Sequence, residues 1–165
     1  MNKQFIMNNL RLAIQRDVTN VYAEQLKDID VVFTEDDSLF NYKAIGLFEG
    51  GHIYMNVCDR LLFDLMGNDA VISVKEIVDN YLIAMAHELG HANDPACRYQ
   101  LANMAAMVVH KHKPTLGKIQ LKLEERAYRI GLRYIPDRLR NRYITYNERY
   151  INQLKRKPLF MHNNK

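Results

Sequence analysis

The sequence predicts an α+β fold, mostly helical, with a small three-stranded and at least partly antiparallel sheet packed on a helix that carries His87-Glu88-Leu89-Gly90-His91. Apolar residues near the N-terminus recur at helical spacing. Short β-branched and aromatic runs between residues 30 and 57 enclose Gly50-Gly51. From Ser73 onward the pattern is helical with only short interruptions.

The first element is an amphipathic helix from Asn2 to Lys27, with Phe5, Leu10, Ile14, Val18, Tyr22 and Leu26 on its apolar side. Its polar side is not basic, so the stripe reads as a core face rather than a membrane face. Asp30–Thr34 is a strand, Glu35–Ser38 a polar turn, and Lys43–Phe48 a second strand. Glu49-Gly50-Gly51-His52 supplies the positive φ of a two-residue hairpin, and Ile53–Val57 returns as the third strand. Asp59–Leu65 is a short helix stopped near Gly67-Asn68.

Ser73-Val74-Lys75-Glu76 is an S-x-x-E capping box, which opens the helix of the histidine motif. That helix should end near Asn93-Asp94-Pro95, because the residue before proline avoids the α region. A further helix is expected over Ala96–Lys113, with Leu101, Met104, Met107 and Val108 inward. Pro114-Thr115-Leu116-Gly117 reads as a break and Lys118–Tyr134 as a helix ending before Pro136. Asp137–Lys157 is the last helix, with Leu139, Tyr143, Tyr146, Tyr150 and Leu154 on one side.

With 165 residues, 48% of them hydrophobic and 25% charged, the composition is that of one globular domain, expected over residues 1–157 with 158–165 a flexible tail. No apolar run approaches the roughly 20 residues that span a bilayer, and the first residues do not read as a signal peptide. Cys58 and Cys97 show no pairing pattern, so a cytoplasmic, reducing location is expected. The net charge of +4 hides an asymmetry. Residues 1–110 hold 8 basic and 15 acidic side chains, net −7; residues 111–165 hold 15 and 4, net +11. The basic stretch, residues 111–157, suggests contact with nucleic acid or another anionic partner, set against the plainer reading of a solvated cationic surface.

His87 and His91 stand four residues apart, hence one above the other on a helix, where both imidazoles can reach one tetrahedral Zn²⁺. Glu88 lies about 100° round the helix, on the shoulder of that face, where it can take a proton from an attacking water. The plainer reading is a pair of satisfied histidines. Against it, the run Tyr81–Ala86 is apolar, and burying two histidines and a glutamate without partners is costly.

A catalytic zinc site needs a third protein ligand. Glu124, in an E-x-x-A arrangement, is the first candidate; Glu125, about 100° round the same helix, and Cys97 are the alternatives. Asp94 reads as a helix-end group or as one that orients a histidine N–H. His110, His112, Tyr128, Arg129 and Tyr134 are open candidates for stabilising an oxyanion, and His52 reads as a surface residue.

Three features together resemble the ImmA/IrrE-type zinc metallopeptidases. They are the small β segment, Ala44–Phe48 then His52–Asn56; the HELGH form at 87–91; and Glu124-x-x-Ala127-x-x-Ile130-Gly131 leading to Pro136. The resemblance implies zinc held by His87, His91 and Glu124, Glu88 as catalytic base, and a protein substrate, often a DNA-binding repressor. The expectation is a zinc-dependent metallopeptidase. The alternative is a non-catalytic zinc-containing protein whose basic C-terminal helices hold nucleic acid or an acidic protein.

Overall fold

The structure, a computed structural model, describes residues 3–40, 44–67, 73–97 and 113–156. Among these, the elements in chain order are α1 (Lys3–Val21), β1 (Val31–Thr34), β2 (Gly46–Glu49), β3 (His52–Asn56), α2 (Asp59–Met66), α3 (Val74–Ala92), α4 (Lys113–Gly131) and α5 (Arg140–Lys155). Single 3-10 turns occupy Asp37–Leu39 and Asp137–Leu139. The class is α+β with a small sheet, as the periodicities indicate. The chain divides into two compact units, Met1–Glu88 and Leu89–Lys165.

In the first unit, α1 buries Met7, Leu10, Ile14 and Val18, and Tyr22 just past its end continues the stripe, which steps by three and then four residues. Phe5, expected on that stripe, is 60% exposed, and Met7 takes its place. The helix stops at Val21, not Lys27, although Tyr22 and Leu26 still donate to the carbonyls four residues back. The buried Tyr22 hydroxyl donates to the Leu82 carbonyl of α3 at 2.7 Å. Tyr22→Phe removes that bond and keeps the buried ring. It should lower the unfolding free energy by about 1 kcal/mol, read as a shifted urea midpoint at unchanged m value.

The sheet has the order β1-β3-β2. β2 and β3 pair antiparallel, Phe48 opposite Ile53, through Gly50 and Gly51 at φ 60° and 89°. Both values lie in the left-handed region that this two-residue hairpin requires. β1 pairs parallel to β3, Val31 opposite Ile53, so the sheet is mixed. The second strand, expected from Lys43, begins at Gly46.

Arg11 of α1 ties this unit together. Its Nε donates to the Val57 carbonyl at 3.0 Å, and its Nη2 stands 2.5 Å from Asp59 and 2.9 Å from Glu35. Cys58 accepts from the Leu61 amide at 3.4 Å and so caps α2, which ends at Gly67 with φ 69°. The capping box of α3 closes in both directions. The Ser73 amide donates to Glu76 Oε2 at 3.0 Å, and the Glu76 amide donates to Ser73 Oγ at 3.2 Å. Tyr81 donates to the Asn56 carbonyl at the end of β3, and burial pushes its phenol pKa well up. Ile77, Val78, Tyr81, Leu82, Met85 and Ala86 are buried along α3.

In the second unit, α4 starts at Lys113, so the break expected at residues 114–117 is the helix's first turn. Proline fits there because the first-turn N–H has no intrahelical partner to lose. The inward residues expected on the preceding helix, Leu101, Met104, Met107 and Val108, lie outside the described residues, as does the tail from residue 158. On α5 the buried residues are Tyr143, Asn147, Ile151 and Leu154, and Leu139 is buried in the 3-10 turn before it. Tyr146, expected among them, is 57% exposed. The turn-by-turn step lands on Asn147 instead, whose Nδ2 donates to the Tyr143 carbonyl at 2.9 Å. No helix among the described residues is long and apolar enough to cross a membrane.

Candidate metal centre

The last turns of α3 carry His87, Glu88 and His91. His91 Nε2 stands 3.6 Å from Glu124 Oε2 of α4, with both side chains under 15% exposed. His87, His91 and Glu124 each offer one donor atom, and the three atoms lie within 4.8 Å of one another. Around a tetrahedral Zn²⁺ with bonds near 2.1 Å, donor atoms sit roughly 3.4 Å apart. The two imidazoles and the carboxylate are thus close enough to converge on one ion, and they are the donor types that an open zinc site uses.

A helix contact sets Glu124 beside His91. A Cβ added to Gly90 would lie 2.1 Å from the Ala127 carbonyl oxygen and 2.9 Å from its Cα. The backbones of α3 and α4 therefore meet at a glycine and an alanine, and Ala127 is fully buried. Glu124 precedes Ala127 by three residues, almost one turn, and so projects from the same side of α4. His91 follows Gly90 directly. This contact gives E-x-x-A its physical meaning: the alanine permits the approach, and the glutamate one turn earlier uses it.

Glu125 points elsewhere. Its Oε1 pairs with Lys155 Nζ at 2.9 Å, and it lines an open groove of about 370 Å³ with Tyr128, Arg129, Glu148, Ile151 and Asn152. Two candidates for oxyanion stabilisation, Tyr128 and Arg129, line that groove. Burial, then Glu148, pushes the Tyr128 phenol upward. Cys97 lies beside His91 but outside the three-donor group. Its Sγ lies 3.9 Å from His91 Nδ1, the ring nitrogen opposite the one that faces Glu124. A His91 tautomer with the proton on Nδ1 directs that N–H at the sulfur and leaves the Nε2 lone pair toward Glu124.

Asp94 lies just past the end of α3, where its carboxylate is held by the following turn and by α4. Its side chain is fully buried, accepts from the Ala96 amide at 3.0 Å, and forms a two-point pair with Arg126 at 2.5 and 2.8 Å. That pairing, led by the hydrogen bond to Asp94, raises the guanidinium pKa of Arg126. The sequence marked Asp94 but gave no sign of Arg126 as its partner, 32 residues away.

Glu88 is 8% exposed and lies against β2, where a Cβ on Gly46 would come within 2.8 Å of Glu88 Cγ and 3.0 Å of Oε1. Only a residue without Cβ leaves the carboxylate that room. His52 is a surface residue, as expected, 3.5 Å from Asp30. Tyr134 is half-buried, and His110 and His112 lie outside the described residues. No family model, curated protein or solved structure matches this chain.

Proposed function

We propose that the protein is a zinc-dependent metallopeptidase that hydrolyses a peptide bond of a protein substrate. The observation that carries this reading is the convergence of His87, His91 and Glu124 within 4.8 Å. Among the described residues three protein donors converge, which leaves a coordination position open, whereas structural zinc sites use four, often with cysteine. That count favours catalysis over the alternative of a zinc-containing binding protein.

When bound, zinc would supply Lewis acidity and bring the pKa of a coordinated water to about 7. Glu88 supplies the proton handling. One carboxylate oxygen takes the proton of the attacking water and returns it to the departing amine nitrogen. Peptide recognition has a route in the same unit. Among the described residues β2 pairs only with β3, so its other edge offers backbone groups to an extended chain beside Gly46 and Glu88. The resemblance to ImmA/IrrE-type enzymes favours a DNA-binding regulator as substrate. Both cysteines are free thiols, which suits the cytoplasm.

Metal analysis tests the ligand set. Wild-type protein and Glu125→Ala should each carry about one Zn²⁺, while His87→Ala and Glu124→Ala should carry far less. Equal zinc in wild type and Glu124→Ala would remove the third ligand and the proposed chemistry with it.

A further inference from the structure

Helix α5 presents a face that the proposed chemistry does not use. Arg142, Arg149 and Arg156 recur every seven residues, and Arg138 precedes Arg142 by four. Seven residues are close to two helical turns, so these arginines form one stripe. Thr145 and Asn152 fill the intervals, and Tyr146 and Gln153 flank them; all of these side chains are exposed. The buried face, Leu139, Tyr143, Asn147, Ile151 and Leu154, lies on the opposite side of the helix. Glu148, the one acidic residue within α5, borders the stripe on the groove side, where it lines the groove with Glu125 and Asn152.

We propose that this arginine stripe is a docking surface for double-helical DNA. Arginine, asparagine, glutamine, threonine and tyrosine side chains are the donors that proteins direct at phosphates and base edges. The 19 residues from Arg138 to Arg156 extend about 27 Å, and a helix about 10–12 Å across fits a major groove about 12 Å wide. A membrane surface would require apolar residues beside the cations, and a protein partner would require an apolar centre to bury. Beside the stripe stands one exposed aromatic, Tyr146, among polar side chains. The net charge of +11 on residues 111–165 adds long-range attraction to a polyanion.

The test uses the full chain and a labelled mixed-sequence DNA duplex of about 20 base pairs, with anisotropy read between about 50 and 200 mM salt. Wild type should bind at low salt and weaken steeply as salt rises. The triple variant Arg142→Gln, Arg149→Gln, Arg156→Gln should lose at least about tenfold in affinity, and its log–log salt slope should be shallower by about 2.7, or roughly 0.9 per lost phosphate contact. A control triple of equal charge change, Lys118→Gln, Lys122→Gln, Arg133→Gln, should lose less than about threefold. Arg149→Gln alone should shift the slope by about 0.9 and serves if the triple folds poorly.

No wild-type binding at low salt, equal losses in both triples, or equal affinity for duplex RNA or polyglutamate would each overturn the proposal. An A-form RNA major groove is too narrow for the helix, so equal RNA binding would contradict groove insertion. Zinc content and circular dichroism of both triples should match wild type. Failure here is thereby separable from failure of the metal-site reading.

Discussion

Glu88→Gln should keep the fold and the zinc and lose hydrolysis by about 10²–10⁴-fold. The amide has nearly the same shape as the carboxylate, so it fits the narrow space against Gly46, where added bulk would come within 2.8 Å of Cγ. At 8% exposure, a larger change at this position would disturb the packing and confuse the result. Glutamine differs in one respect that matters: it cannot accept the proton of an attacking water. The measurement is the appearance of new peptide termini when zinc-loaded protein is incubated with a complex peptide mixture. Wild type should generate termini that the variant does not, at equal zinc content. Cleavage by Glu88→Gln at the wild-type rate would show that the proton passes through another group.

What the sequence made legible here is local in origin. The capping box at Ser73 and Glu76, the Gly50-Gly51 hairpin and the one-turn spacing of His87 and His91 each depend on residues within a few positions of one another. Glu124 was legible as the leading candidate because the residue that admits it to the site, Ala127, stands one turn away. The separation of Glu124 from Glu125 was not. It depends on which side of α4 meets Gly90, while Glu125 faces the groove and pairs there with Lys155. The Asp94–Arg126 pair, 32 residues apart, was hidden for the same reason. Apolar periodicity also misplaced single residues. It favoured Phe5 and Tyr146 because they are apolar or aromatic, while packing geometry buried Met7 and the amide of Asn147. The arginine stripe registered only as net charge, since its meaning depends on which side of α5 is already buried.

Gly90→Ala sets two effects against each other, and their magnitudes decide the sign. Alanine is the better helix former, by about 1 kcal/mol in a helix interior. On an isolated α3 the substitution would stabilise. In the folded second unit the new methyl would meet the Ala127 carbonyl oxygen at 2.1 Å, where real contacts essentially never fall below 3.0 Å. The obstacle is backbone, so no rotamer change relieves it, and the helices must separate by about 1 Å. Overpacking of this kind typically costs 1–3 kcal/mol, which offsets the propensity gain, and the net change should be destabilising. The displaced group is the turn that carries Glu124, so zinc affinity should fall by about 10–100-fold, the range found when the support of a metal ligand is disturbed. Ala92→Gly, two residues along α3, provides the contrast. It should lose up to about 1 kcal/mol of stability and retain zinc. Pairing Gly90→Ala with Ala127→Gly should rescue neither property, because the clashing atoms belong to the chain and not to the alanine side chain. Calorimetry and zinc titration on the three variants separate these outcomes. A Gly90→Ala protein that is more stable than wild type and holds zinc as tightly would show that the helix contact at this glycine does not position the third ligand.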